Sequence, residues 1–223
     1  MLVRLVGAAA LSTCIAFALV DAGAAGDFNG RPHDAGSASL PSVAMTMAPL
    51  HNVEGGRVKA PLGWTGFCKR YAQECQREML TGQTITLNAA ALHLLHRVNV
   101  GVNAAIKPIT DRAQWDTDER WDFAETGQGD CEDYVLLKQR WLVSAGFYRD
   151  AVLVTVVTDL AGDGHAVLTV RTDRGDYVLD NMVDEIKLWR ETPYSFVKRQ
   201  SSLVSTEWVS LNGGGAAPAI VSR

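Results

Sequence analysis

The order in which two hydrophobic periodicities follow each other is the feature that most constrains this fold. Apolar residues recur at helical spacing in two stretches between residues 88 and 146, and they alternate at strand spacing in several stretches between residues 151 and 211. Asn88 is a suitable N-cap for the first helix, and Pro108 ends it. Helices followed by strands predict an α+β domain, with N-terminal helices packed on a mostly antiparallel sheet.

The second helix is expected to begin at Asp130 and to end at Gly146. Gly129 breaks the preceding chain, Asp130 is a good N-cap residue, and Asp133 stands where its carboxylate can bond back to the helix start. The residues expected to face the core are Val135, Trp141, Leu142 and Ala145. The expected strands are 151–158, 165–171, 176–180, 194–198 and 207–211.

The first residues have the layout of a signal peptide. Arg4 precedes an uncharged run over residues 5–20, and small residues follow at 21–25. The alternative is a membrane anchor, but the run is shorter than the roughly 20 residues that a bilayer span needs. We therefore expect a signal peptide at 1–25, a flexible linker at 26–61, one domain at 62–211, a disordered tail at 212–223, and a periplasmic or secreted protein.

Charge and cysteine number narrow the possible functions. The net charge of −4 provides no cationic surface for phosphates, which argues against a nucleic-acid partner. Removal of residues 1–25 would leave Cys68, Cys75 and Cys131, an odd number in an oxidising compartment. A bridge between Cys68 and Cys75 requires a break in the helix between them, because on one helix they would lie about 10 Å apart. Two separate reduced cysteines are the alternative.

Cys131 falls in the first turn of the second helix, where free backbone N–H groups and the helix dipole favour a thiolate. Its acidic neighbours Asp130, Glu132 and Asp133 oppose this, because negative charge raises the pKa of a thiol. Either a protonated His165 or a hard cation such as Ca²⁺ could offset them. Alternatively, these acids only cap the helix in water.

His165 and Asp180 lie on consecutive expected strands, joined by residues 172–175. If those four residues form the loop, Arg171 pairs with Asp176, and His165 shares a sheet face with Asp180. A three-residue loop would place the two side chains on opposite faces. The register therefore decides whether Asp180 can orient the imidazole of His165.

Three fragments, in this order, resemble the bacterial transglutaminase-like cysteine peptidases, whose best-known members are the LapG-type periplasmic proteases. They are GDCEDY at 129–134, GHAVL at 164–168 and VLDN at 178–181. The resemblance extends over residues 63–211, and it implies a papain- and transglutaminase-like fold. It also implies a Cys-His-Asp triad of Cys131, His165 and Asp180, in which the deprotonated cysteine attacks an amide and water resolves the acyl-enzyme.

The resemblance also implies a ligand and partners. LapG-type enzymes bind calcium through acids beside the cysteine, which correspond here to Asp130 and Glu132, and less directly to Asp133. Those enzymes cut a surface adhesin and are restrained by a membrane receptor that responds to cyclic-di-GMP. This chain departs from them at residues 121–128, which contain no proline, and at Ala72, where related sequences often have proline. Both departures could reshape the substrate cleft.

Three other interpretations fit the same residues. The triad could transfer an acyl group to an amine, as transglutaminases or amidases do; the fold could be a non-catalytic binding domain; or Cys131, His165 and Asp180 could be zinc ligands. The peptidase interpretation requires that the three side chains converge and that a peptide can reach the sulfur.

Overall fold

The computed structural model describes residues 49–211. The predicted signal peptide, residues 26–48 of the predicted linker and the predicted tail lie outside the described residues. Mixed helices and strands confirm the α+β prediction. In chain order the elements are β1 (Glu54–Val58), α1 (Leu62–Arg70), a 3-10 turn (Ala72–Cys75), α2 (Ala89–Ala105), β2 (Lys107–Pro108), α3 (Asp111–Trp115), β3 (Gln128–Gly129), α4 (Cys131–Ser144), β4 (Val152–Thr158), β5 (Gly164–Thr172), β6 (Gly175–Leu179), β7 (Lys187–Leu188), a second 3-10 turn (Trp189–Glu191), β8 (Ser195–Gln200) and β9 (Trp208–Leu211).

Seven strands form one antiparallel sheet in the order β1-β9-β8-β4-β5-β6-β7. Its centre is the pair β4 and β5, whose alternating apolar residues predict strands correctly. The strands β2 and β3 form a separate parallel pair. None of the described helices is long and apolar enough to cross a membrane.

The main core lies between the sheet and the helices. Helix α4 packs on β4 and β5, and α2 packs on α4. Asn88 caps α2 as predicted, since its side chain accepts a hydrogen bond from the amide of Ala91 (2.9 Å). Residues that build this core include Leu95, Val102, Val135, Leu142, Val154 and Leu168. A smaller cluster on the opposite sheet face contains Val157, Val167, Val178, Phe196 and Leu211.

The core prediction for the second helix is wrong at two positions. Trp141 is 45% exposed, and Ala145 is exposed as well, whereas Val135 and Leu142 are buried as predicted. Buried polar residues Lys138 and Gln139 take part of the covered face instead. The helix therefore buries a broader and more polar face than its apolar spacing indicates.

The predicted linker at 26–61 extends too far towards the C-terminus. Residues Glu54–Val58 form edge strand β1, which pairs with β9. Just before it, His51 Nδ1 lies 2.7 Å from Asp176, and Arg199 binds both Asp176 (2.8 Å) and Glu54 (2.6 Å). These contacts join the segment to the sheet, because a buried arginine and carboxylate need partners.

Cys68 and Cys75 are joined by a disulfide, with their Cα atoms 5.4 Å apart. Helix α1 ends at Arg70, and the chain turns at Tyr71 into the first 3-10 turn. This is the break in the helix that such a bridge requires. Cys131 is therefore the one free cysteine in the described part of the chain.

Candidate active site

Two helix starts lie side by side at the site because of the short parallel pairing of β2 and β3. Lys107 pairs with Gln128, and Pro108 pairs with Gly129. Each strand runs within a few residues into a helix, α3 at Asp111 and α4 at Cys131. In-register parallel pairing places the residues that follow the two strands next to each other.

Cys131 opens helix α4, as predicted, but its sulfur is covered. The residue has an exposed fraction of 0%. Its thiol donates to Glu132 Oε2 at 3.3 Å, and the backbone amide of Ala166 donates to the sulfur at 3.4 Å. Burial, together with the negative charge of Asp130, raises the pKa of the thiol to about 12. The expectation of an accessible sulfur is therefore not met in this structure.

The register of β5 and β6 is the one that the four-residue loop requires. Arg171 pairs with Asp176, and Leu168 pairs with Leu179. His165 Nε2 lies 2.9 Å from Asp180 Oδ1. The other ring nitrogen, Nδ1, is buried and has no hydrogen-bond partner among residues 49–211. Asp180 thus binds one nitrogen of the imidazole, and the other stays without a described partner.

Asp180 is held in its charged form by its surroundings. Burial by itself would raise the pKa of this carboxyl, but the hydrogen bond and positive charge of His165 outweigh burial and lower it below its ordinary value. The amide of Met182 also donates to Oδ1 (3.0 Å), and the hydroxyl of Tyr194 donates to Oδ2 (2.5 Å). Both carboxylate oxygens therefore have donors.

Sequence reasoning missed Tyr194 as a site residue. It was assigned only to the start of a strand, and no local pattern indicates that its hydroxyl turns towards Asp180. Its ring also packs against His165, with centroids 5.4 Å apart.

A second group of acidic side chains lies beside the cysteine. It consists of Asp111, Asp130 and Glu132, whose carboxylate oxygens come within 4.8 Å of one another. One oxygen of each carboxylate is used inside the protein: Asp111 Oδ2 accepts from the amide of Arg120, Asp130 Oδ2 from the amide of Asp111 (3.2 Å), and Glu132 Oε2 from the thiol of Cys131. The other oxygens, Asp111 Oδ1, Asp130 Oδ1 and Glu132 Oε1, are buried with no partner in the described protein.

The chemistry of this group fits a hard cation. Burial raises the pKa of all three carboxyls, to about 7 for Asp130. Calcium binds oxygen ligands, mainly carboxylates, carbonyls and water. Buried carboxylate oxygens that lie within 4.8 Å of one another match that preference, and a bound cation would offset the unfavourable burial of their negative charge.

The acidic group and the predicted metal ligands overlap only in part. Asp130 and Glu132 belong to the acidic group, but Asp133 does not: its Oδ1 accepts from the amide of Asp122 at 2.6 Å. Asp111 takes its place, and the prediction did not include it. Asp130 is the N-cap residue of α4 as predicted, but its side chain makes no cap hydrogen bond. The carboxylates of Asp130 and Asp133 accept from the backbone amides of Asp111 and Asp122, which lie outside helix α4.

Within residues 49–211, the acidic group is a place where three possible metal ligands lie close together. The side chains of Cys131, His165 and Asp180 are not gathered in that way. The zinc interpretation of those three residues therefore has no support in the described structure.

The fold and the residues around Cys131, His165 and Asp180 are of the kind found in cysteine peptidases with a transglutaminase-like fold. The chain belongs to the family described as bacterial transglutaminase-like cysteine proteinase BTLCP, whose model matches residues 54–216. The protein is thus a cysteine peptidase. The comparison with curated proteins gives no match.

Solved structures of Legionella pneumophila LapG are similar to this chain. The calcium-bound form has 21% sequence identity and a TM-score of 0.46, over 58% of this chain and 74% of that one. Another LapG structure has 24% identity and a TM-score of 0.46, over 56% and 69% of the two chains. An EGTA-treated form has 26% identity and a TM-score of 0.43, over 48% and 62%.

Proposed function

We propose that this protein is a periplasmic endopeptidase that cuts a protein substrate with Cys131 as nucleophile, His165 as base and Asp180 as the group that orients the base. One observation carries the proposal. Asp180 binds His165 through Nε2, while Nδ1 has no partner in the described protein, and the next residue, Ala166, touches the sulfur of Cys131.

The geometry supports the following reaction. His165 accepts the thiol proton at Nδ1, and the thiolate attacks the amide carbonyl of the substrate. The imidazolium, stabilised by Asp180, then gives its proton to the leaving amine, and the acyl group stays on the sulfur. Water, deprotonated by His165, releases the acid and restores the thiol.

We further propose that Asp111, Asp130 and Glu132 hold a calcium ion. A cation there supplies positive charge next to the cysteine, which opposes the effect of burial and of Asp130 on the pKa of the thiol. Three buried oxygens without partners support this site. The proposal also explains why so many carboxyls surround a residue that must lose a proton.

Family membership, the signal-peptide layout and the disulfide support an exported protein that acts on another protein. Within that class, a surface adhesin is the proposed substrate and a membrane-bound receptor the proposed regulator, both by resemblance to the LapG-type proteases. The changed segment at 121–128 lies next to the nucleophile, so substrate choice is the part of the proposal that most needs a direct test.

The test is a comparison of cell-envelope proteins from cells that produce the wild-type chain or the Cys131→Ala variant. We expect one envelope protein to lose its processing in the variant, while the exposed-site control Ser144→Ala processes it normally. Purified enzyme should then cut that protein, faster with calcium than with EGTA. An unchanged set of envelope proteins, together with no cleavage by purified enzyme, would contradict the proposal.

Acyl transfer is separated in the same experiment. A labelled primary amine is added to the purified enzyme and its substrate. Incorporation of label without chain cleavage would assign transamidation to the same triad, because the entering nucleophile decides the product.

A further inference from the structure

Tyr194 bridges two members of the proposed triad. Its hydroxyl donates to Asp180 Oδ2 at 2.5 Å, and its ring lies 5.4 Å from the ring of His165 at an angle of 50°. The histidine itself uses the other oxygen of the same carboxylate. The tyrosine therefore contacts both sides of the His165–Asp180 hydrogen bond.

Tyr194 also lies at an opening in the surface next to this hydrogen bond. Tyr194 and Asp180 line a pocket of about 140 Å³, together with Val178, Val183 and Pro193. Water that enters this pocket would compete for Asp180 Oδ2 if the hydroxyl were absent. A hydrogen bond that water can reach is weaker than one in a dry environment.

We propose that Tyr194 is a positioning residue, which holds Asp180 towards His165 through its hydroxyl and excludes water from their hydrogen bond with its ring. The proposal rests on the proposed triad for its catalytic meaning. The hydrogen bond itself exists in the folded protein whether or not a substrate is cut, so it can be tested separately.

Other charged groups also act on Asp180. Lys138 on α4 has a buried amine that interacts electrostatically with Asp180. The same amine interacts with the carboxylate of Asp184, in the loop after β6. Beside His165, the backbone amide of Ala166 contacts the sulfur of Cys131. These groups contribute to the electrostatic environment of the site, but no described hydrogen bond to Asp180 Oδ2 comes from any of them. The hydroxyl of Tyr194 has that position, and its hydrogen bond contributes to the lowered pKa of Asp180.

The experiment is proton and nitrogen NMR of the full chain, with the Nε2 proton of His165 as the signal. Its absence in His165→Gln assigns it. In the wild type we expect a downfield Nε2–H signal that exchanges slowly with water. In Tyr194→Phe, which keeps the ring, we expect exchange about tenfold faster, since a hydrogen bond to a charged group is lost. In Tyr194→Ala we expect the signal to be lost to exchange. Tyr177→Phe, on β6 but away from the triad, should match the wild type.

Two results would overturn the proposal. One is a Tyr194→Phe protein whose Nε2–H signal and exchange rate equal those of the wild type, whatever Tyr194→Ala shows. The other is a wild type without a protected signal, since water would then have access to the His165–Asp180 hydrogen bond. If the NMR result is as expected but no peptidase activity is ever found, the positioning role stands and the proposed function fails. Once a substrate is known, Tyr194→Phe should lower kcat with little change in KM, because Tyr194 acts through Asp180.

Discussion

Two buried carboxylate sites lie around Cys131, and they differ in how they are completed. Asp180 has a donor on each oxygen, from His165, Met182 and Tyr194, and its pKa is lowered. The acidic group of Asp111, Asp130 and Glu132 leaves one oxygen of each carboxylate without a partner in the described protein, and burial raises its pKa values. The first site is completed by the chain itself. The second has the features of a place for an external cation.

The largest expected effect is at the completed site. Asp180→Asn keeps the shape of the side chain but removes its charge, so it neither fixes the histidine tautomer nor stabilises the imidazolium. We expect kcat/KM for cleavage of the native substrate to fall about ten-thousandfold. Near-wild-type kcat/KM in this variant would show that Asp180 does not orient the base, and the contrast between the two sites would lose its catalytic meaning.

Lys138 provides the next test, because it is the buried cation on the Asp180 side. Burial lowers the pKa of Lys138 from its ordinary value of 10.5 to about 7, although the carboxylates of Asp180 and Asp184 act in the opposite direction. Between pH 7 and 10.5 the unfolded chain binds more protons at Lys138 than the folded chain does, so the free energy of unfolding rises with pH over this range. Below pH 7 the folded protein carries the full destabilising effect of the buried charge. Lys138→Met should remove the rise and stabilise the protein by about 5 kcal/mol at pH 6.

The measurement is urea unfolding of both proteins between pH 6 and 10, at constant calcium. The control is Lys69→Met, whose side chain is exposed on α1. Parallel stability curves for wild type and Lys138→Met would mean that the amine is not buried as described.

Calcium tests the incomplete site. At a hundredfold excess over its Kd, calcium should raise the free energy of unfolding by about 2.7 kcal/mol relative to EGTA. Asp111→Asn should lose most of that gain, whereas Asp133→Asn should keep it, because the Asp133 carboxylate binds the amide of Asp122 instead. Thermal or urea unfolding measures both. If Asp133→Asn lost the gain and Asp111→Asn kept it, Asp133 and not Asp111 would be the calcium ligand, as sequence alone predicts.

The smallest expected effect concerns the backbone that leads to the acidic group. Ala124 has φ of 51°, a left-handed conformation that residues with a Cβ disfavour. Ala124→Gly should therefore stabilise the protein by about 0.5 kcal/mol, the strain relieved less the entropy of glycine. Ala104→Gly, in the exposed part of α2, should destabilise it by about 1 kcal/mol. Equal destabilisation by both, measured as Tm, would mean that the strain is absent.

The completed site was predictable from sequence, and the reason is local. Alternating residues on two neighbouring strands and a short turn fix the pairing of Arg171 with Asp176, and this pairing places His165 and Asp180 on one face. Cys131 was placed at a helix start by Gly129 and Asp130. Tyr194 was not predicted, because its contact depends on how the chain returns from β7 to β8.

The incomplete site was predicted only in part, because long-range contacts override local rules there. Asp130 and Asp133 have the spacing of capping residues, yet amides from Asp111 and Asp122 bind them. Asp111 reaches the site through a parallel pairing of only two residues, too short to show a periodicity. The motif Thr110-Asp111 after Pro108 was the available signal, since Thr110 caps α3 in the way Asp130 was expected to cap α4. Strand β1 was missed because its sequence, EGGRV, does not alternate.

The pairing of β1 with β9 has a practical consequence. Glu54 lies opposite Leu211, so the first and last strands of the described domain meet at one edge of the sheet. The strands that carry His165 and precede Asp180 lie further along the same sheet. A short peptide could therefore join β9 to β1, and new termini could be opened at the exposed turn around Leu160. The domain is suited to circular permutation, which would place fusion partners or spectroscopic labels at a chosen distance from Cys131.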